Sequence, residues 1–514
     1  MISKETSGRF IIICSAVSAM IVRALLYVPG RSLFSFPDRM DDRYKLALFD
    51  YGICAVLSCL VLFAIFNSIF TVLFAKGKKR DAIAGVLRCA LFYLPAVIAV
   101  IAIKLPAGYL TNDEYSIFRD ATGLVHDTWF NYMTVYYYII SLMILPFKYG
   151  PIVIKALVQV LTAGYCIYRA RGYFGKKAGW FMYVLFLLYP VIAYTTSAHR
   201  LPLYFLIYLI VFTKLAFDIL EKRGITPGAE AALLIAGAVL TQWRTEGIYL
   251  LVLLPILMFI AYPQLRNKRS ALILIISYLA VQYILSVPQN GMGTGIGGAA
   301  NDRMKPFYAY TVTNMYRNGL DMQKNAADLE IIDRYLSLDM IEKINEHYGD
   351  INYEDVLILY KEEFNGVRPE AGYTEYYEFT QAAKRLFVNN PDVFAKTRWG
   401  AFCYAALPYH MTFPWQGAGI ARSAISIVKS LSYNLFIPVA IAFVLALASL
   451  IGRNWYTFFV SGGLAAHWFI VFVLAPASYF KYYFPVYILS YFYVTVLLIW
   501  FFSARKTLVC PVKI

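Results

Sequence analysis

Long apolar runs separated by short polar segments fill most of this chain. Runs of this length predict membrane-spanning helices, because about 20 apolar residues cover the hydrocarbon thickness of a bilayer. The candidates are 10–28, 47–75, 84–104, 133–147, 150–168, 179–196, 201–220, 229–243, 246–262, 271–288, 432–452, 455–475 and 482–502. The runs are continuous rather than alternating, which argues against a transmembrane β-barrel. The expected fold class is an all-α polytopic membrane protein.

Between 288 and 432 the pattern changes. Residues 289–394 form a large polar segment, opened by the Gly-rich run from Gly291 to Gly298. That run neither follows a strand nor leads clearly into a helix, so it reads as a linker rather than a phosphate-cradling loop. Amphipathic stretches near 320–348, 353–365 and 374–389 predict short surface helices. Residues 395–431, aromatic and interrupted by Pro408 and Pro414, read as interfacial.

Charge sets the orientation. The chain carries 47 Lys+Arg against 31 Asp+Glu, a formal net charge of +16. Much of the excess lies between apolar runs, at Lys76 to Arg80, Arg169 to Lys177, Lys222-Arg223, Arg266 to Arg269 and Arg505-Lys506. This is the positive-inside pattern of loops facing an anionic leaflet, so membrane lipids rather than nucleic acid are the expected partners. Placing every cluster inside puts the loop 105–132 outside. An odd number of crossings must then separate that loop from the cluster at 169–177, yet two candidates lie between them. The shorter, Tyr-rich 133–147 is therefore expected to be interfacial or re-entrant. About twelve crossings remain, with both termini cytoplasmic and 289–394 forming a small, mainly helical cap outside. Lys4 and Arg9 before an apolar run look like a signal sequence. Arg23 interrupts that run and no small-residue cleavage site is clear, so a retained first helix is expected.

Composition agrees. The chain of 514 residues is 60% hydrophobic and 15% charged, where soluble domains carry about a quarter charged residues. The 43 Tyr suit interfacial aromatic belts. Seven scattered Cys show no spacing for zinc or for a disulfide framework. Compact loops without retention signals point to a bacterial plasma membrane.

The candidate chemistry begins at Asn112-Asp113-Glu114-Tyr115, just past an apolar run closed by Lys104, Leu105 and Pro106. Charge beside a bilayer is costly and tends to be kept where it is used. Two acids at the mouth of a helical bundle suit a general base acting at the membrane surface. The alternative is an acidic loop at a helix end. On the same expected outer side lie Arg119, Asp120, His126, Asp127, His199, Arg200, Arg244, Glu246 and Lys481, with Tyr482 nearby.

An apolar helix leads to the external loop with Asp113-Glu114, then to an aromatic segment and a span ending in Tyr168 to Ala178. A span ending in Pro190 and the segment Ser197-Ala198-His199-Arg200 follow. This order resembles the GT-C superfamily of integral-membrane glycosyltransferases, nearest the protein O-mannosyltransferase and aminoarabinose-transferase type. Arg244-Thr245-Glu246-Gly247 is similar to the Arg-x-Glu-Gly element of such proteins, and Ser478 to Pro485 is similar to their late Arg-Tyr-x-x-Pro segment. The likeness covers roughly 84–290 well and 391–502 loosely, with short motifs whose order carries it.

The resemblance implies a polyprenyl-phosphate-linked sugar donor and an envelope glycan, lipid or protein acceptor. Asp113 would be the general base, with Glu114 assisting or orienting the acceptor. Arg200, Arg244, Lys481 and Tyr482 would bind the donor phosphate, and Tyr115, His199 and Glu246 complete the candidates. A single displacement would invert the anomeric centre. It also implies an organisation: an extra transmembrane hairpin over 1–83, a core over 84–288, the cap over 289–394, and an interfacial segment with the last spans over 395–514. The hairpin is a departure from the family pattern. So is Lys481 where Arg is expected, which keeps the charge but loses the bidentate fork. The His often seen after the acidic pair is also missing. No cofactor is expected. A divalent metal, used by oligosaccharyltransferase-like relatives, finds no ligand constellation beyond these acids.

Two other classes share parts of the pattern. A transporter or lipid-linked-glycan flippase would have the spans and the buried charges Lys155, Lys214 and Asp218, which equally read as residues snorkelling near cytoplasmic ends. An envelope polysaccharide polymerase or ligase would rest on Arg and His of the outer loop, here Arg303, Arg317 and His347.

Overall fold

The computed structural model describes residues 4–41, 43–104, 112–125, 130–197, 200–293, 304–348, 366–368, 371–407, 428 and 431–503. Among these, the regular elements are helical apart from one antiparallel bridge between Leu336 and Val367. Among the described residues, eight helices are long and apolar enough to cross a membrane, nine if the bent pair Lys176–Leu187 and Tyr189–Thr196 is one span. The protein is an all-α membrane protein. The runs at 133–147 and 432–452 fall on shorter apolar helices, Tyr132–Ile144 and Phe436–Ile451.

The chain divides into two compact units. The first comprises Met1–Met292, Leu445–Val460 and Ile488–Ile514. Its helices are α1 (Lys4–Leu25), α2 (Arg43–Phe74), α3 (Lys78–Lys104), α4 (Asn112–Gly123), α5 (Tyr132–Ile144), α6 (Gly150–Phe174), α7 (Arg200–Leu220), α8 (Pro227–Trp243), α9 (Leu250–Ala261) and α10 (Lys268–Gly293). The apolar windows of α6 and α7 are 67% and 72% buried, against 17% for α1, α2 and α10, so α6 and α7 form the interior. The outer helices expose Ile13, Phe49, Leu272 and Ile284. In water such a surface would be an interaction patch, and here it is the face offered to lipid.

Helix α5 is buried around nearly its whole circumference. At 13 residues it is about 20 Å long, too short for a hydrocarbon core of about 30 Å. The Tyr-rich segment is thus a short helix enclosed by protein, too short to be a full crossing, and its burial departs from the interfacial half of the expectation. Helices α3 and α6 touch closely. A Cβ added at Gly164 would meet the Val86 carbonyl at 2.6 Å and the Ala90 Cβ at 2.7 Å. Small residues at such contacts let helices approach when there is no hydrophobic force between them.

At its C-terminal end α7 carries a buried ionic knot. The Asp218 carboxylate accepts from Arg169 of α6 at 2.8 Å, from Lys214 at 2.6 Å and from the Tyr262 hydroxyl at 2.6 Å. Arg169 also meets Glu221 at 3.3 Å. Asp218 is 1% exposed, so each charge depends on its partner.

The second unit comprises Gly293–Val444 and Ser461–Tyr487. It contains α11 (Lys305–Arg317), α12 (Ala326–Asp333), α13 (Leu338–Tyr348), α14 (Tyr373–Asn389) and α15 (Pro391–Ala406). Tyr310, Met315, Ile332, Ile341, Phe379 and Leu386 lie in its apolar core. Asn325 and Asn390 exchange side-chain hydrogen bonds at 3.3 and 2.9 Å. The amphipathic stretches at 320–348 and 374–389 form helices as expected, and 353–365 lies outside the described residues. Most of the Gly-rich run also lies outside them, and α15 runs across the expected boundary at 394. Helices α16 (Phe436–Ile451), α17 (Trp455–Leu474) and α18 (Phe484–Ser503) each contribute to both units.

Removing one partner of the knot strands the others in a buried site. Asp218→Ala is expected to destabilise the detergent-solubilised protein by about 3–5 kcal/mol in an unfolding titration. Unchanged stability would show that the knot holds nothing.

Candidate functional site

Helix α4 opens with Asp113 and Glu114 in its first turn, where carboxylates complement the positive end of the helix dipole. Successive helical residues point about 100° apart, so the two carboxylates leave in different directions. Glu114 is fully buried and accepts a hydrogen bond from the Ser197 hydroxyl at 2.8 Å. Asp113 is half-buried. Tyr115 is exposed, with the Lys148 ammonium 5.9 Å from its ring centre.

Ser197 follows a break. The run at 179–196 is not one straight helix: its segments meet at 63°. Leu188 turns extended, with ψ 133°, and a new helix starts at Tyr189. Pro190 falls in that helix's first turn, where its missing N–H costs nothing. A short 3-10 turn, Tyr194–Thr196, completes the segment. Carbonyls in the last turn of such a segment need partners from elsewhere. Lys155 of α6 supplies them, its ammonium donating to the carbonyls of Tyr194 and Thr195. Gln159, one turn further along α6, donates to the Thr195 hydroxyl at 3.0 Å and to Tyr93 at 2.9 Å. Lys155 is fully buried and stands in the field of the Glu114 carboxylate. It does not snorkel toward the end that carries Asp218, as its sequence context allowed.

Arg200 begins α7, its guanidinium 4.8 Å from the centre of the Phe130 ring. The next residue, Asn131, caps α5 by accepting from Met133 N at 3.0 Å, and its amide donates to the Gln242 carbonyl at 3.1 Å. Trp243 Nε1 donates to Thr134 of α5 at 2.9 Å. These bonds hold the end of α8, where the backbone turns extended at Arg244. Arg244 is buried and forks onto Glu246, with Nε to Oε2 at 3.1 Å and Nη2 on Oε1. Gly247 follows because nothing larger fits: a Cβ there would meet the Leu240 carbonyl at 2.2 Å and the Tyr204 hydroxyl at 2.6 Å.

Glu114 with Ser197, Arg200 with Phe130, Asn131 with Gln242, and Arg244 with Glu246 thus form one linked region of the first unit. Lys481 and Tyr482 belong to the second unit, in the turn Phe480–Tyr483. There the Lys481 ammonium lies 4.7 Å from the Tyr479 ring centre and 5.9 Å from that of Tyr482. In the same unit the buried Arg398 donates to the carbonyls of Phe472 at 2.6 Å and Ala475 at 3.0 Å, closing the end of α17. His126, Asp127, His199, Arg303 and the side chain of His347 lie outside the described residues. No cluster of three or more His, Cys, Asp or Glu able to hold a metal occurs among the described residues.

Lys155, Gln159, Ser197, Phe130 and Asn131 were not singled out as site residues from sequence. The signal for the first two was present. Two polar residues four apart in an apolar run share one helix face and must find partners there.

Comparison with protein-family models, with curated proteins and with solved structures gives no match for this chain.

The tight seat of Gly247 gives a direct check on the Arg244–Glu246 turn. Gly247→Ala is expected to lower stability by about 1–3 kcal/mol through overpacking, read as a fall in Tm. A Tm equal to that of the parent protein would mean that the turn is free to shift.

Proposed function

We propose that this chain is a GT-C-type membrane glycosyltransferase that moves a sugar from a polyprenyl-phosphate donor to an extracytoplasmic envelope acceptor. About twelve crossings would place Asp113 and the 289–394 cap outside a bacterial plasma membrane, with both termini cytoplasmic. The observation that carries this assignment is the linked region of the first unit. Its acidic and arginine groups come from separate elements, and they are those that the resemblance assigns to the acceptor and the donor.

In this mechanism the half-buried Asp113 takes the proton of the acceptor hydroxyl. The acceptor oxygen bonds to the anomeric carbon. The bond from that carbon to the donor phosphate oxygen breaks, and its electron pair leaves with the phosphate. Arg200 and Arg244 stabilise the departing charge, with Glu246 holding the Arg244 fork in place. Glu114, buried against Ser197 and facing Lys155, orients rather than reacts. One reacting carboxylate implies inversion.

A transporter or lipid-linked-glycan flippase is the second reading. The span broken at Leu188 and the ionic knot at Asp218 favour it, because discontinuous helices and buried charges mark transport sites.

The deciding experiment incubates the protein in liposomes with radiolabelled polyprenyl-phosphate sugars and an envelope extract. Asp113→Asn is expected to lower transfer by about 100- to 10,000-fold while donor binding persists. Transfer unaffected by the substitution would discard Asp113 as the base. Donor movement across the vesicle without transfer would establish the second reading.

A further inference from the structure

The first unit holds a cavity of about 260 Å³ at the end of α7 that carries Asp218. Ile219, Val496 and Leu497 give it apolar walls, and Ser449, Asn454 and Trp500 lie at the level of the helix ends. Two of the helices that bound it, α7 and α16, finish in the same way. In α7, Arg223 N bonds back to the Asp218 carbonyl and Lys222 N to that of Ile219. In α16, Asn454 N bonds to the Ser449 carbonyl and Arg453 N to that of Leu450. Each pattern sets the residue after the helix left-handed, a place usually given to Gly. Here the two positions hold exposed cations, Lys222 with φ 53° and Arg453 with φ 54°.

A basic residue at a helix C-terminus offsets the dipole, and that alone explains either one. It does not explain why both cations occupy left-handed positions at the ends bounding one apolar cavity. We propose that this cavity seats an acyl chain of an anionic membrane phospholipid, with the headgroup phosphate held by Lys222 and Arg453. The charge supplies the selection. An apolar cavity alone would take any lipid chain, whereas two cations close in the chain to the lining residues Leu220 and Asn454 favour a negatively charged headgroup. The proposed polyprenyl-phosphate donor would keep its phosphate far from this cavity. Helix α7 has 21 residues and is about 30 Å long, with Arg200 at its opposite end.

The full chain is reconstituted in nanodiscs of equal phosphatidylcholine and phosphatidylglycerol, and the lipids retained after release are counted by native mass spectrometry. Retained phosphatidylglycerol is expected to exceed phosphatidylcholine. Lys222→Glu with Arg453→Glu is expected to lower that preference by at least about 25-fold, at about 5-fold for each cation lost. Reversing Lys268 and Arg269, two other basic residues, is expected to leave it unchanged. Ala216→Trp, which fills the cavity, is expected to abolish retention of both lipids. Should that variant fail to fold, the surface double reversal decides alone. Equal retention of the two lipids, or retention that survives the double reversal, overturns the proposal. Displacement of phosphatidylglycerol by stoichiometric polyprenyl phosphate also overturns it, by making a prenyl lipid the occupant.

Discussion

Among apolar helices in hydrocarbon, packing one side chain on another brings no hydrophobic gain, so close contacts and satisfied polar groups decide the arrangement. In the first unit that constraint centres on Lys155. Its ammonium takes up the carbonyls of Tyr194 and Thr195, in the 3-10 turn that closes the segment bent at Leu188. The break then delivers Ser197 to Glu114 and starts α7 at Arg200. A straight helix through 179–196 would carry the chain past this point. The geometry around the acidic pair thus depends on one buried amine of a different helix.

The helices that face lipid were legible from sequence. The runs at 10–28, 47–75 and 84–104 lie on α1, α2 and α3, because a helix surrounded by hydrocarbon is apolar on every side. The amphipathic stretches of the second unit were legible for the opposite reason, since their polar faces meet water. Hydropathy said least about the interior. It records how apolar a segment is and not whether protein or lipid surrounds it, so the buried α5 looked like an interfacial helix. Pro190 was visible, but nothing in the apolar run marked Leu188 as the residue that turns extended.

The site was legible by residue type and not by pairing. Asp113, Glu114, Arg200, Arg244 and Glu246 stand out as charges at span ends. That Glu114 is sealed while Asp113 stays partly open depends on the first turn of α4 and on Ser197, neither of which a motif conveys. The Arg244–Glu246 fork is closer to readable, since Gly247 leaves the turn room to close.

The buried charges of the first unit also have an electrical consequence. Arg169 and Lys214 are matched by Asp218 and Glu221, Arg244 by Glu246, and Lys155 faces Glu114. A transmembrane voltage acts on a moving segment only through the net charge it carries, at about 2.3 kcal/mol per elementary charge per 100 mV. Each of these buried sets sums to zero, with the exposed Arg223, which also meets Glu221, lying outside the first. A shift that carried any of them as a body along the membrane normal would move no net charge, and the membrane potential has no lever on the bundle through them.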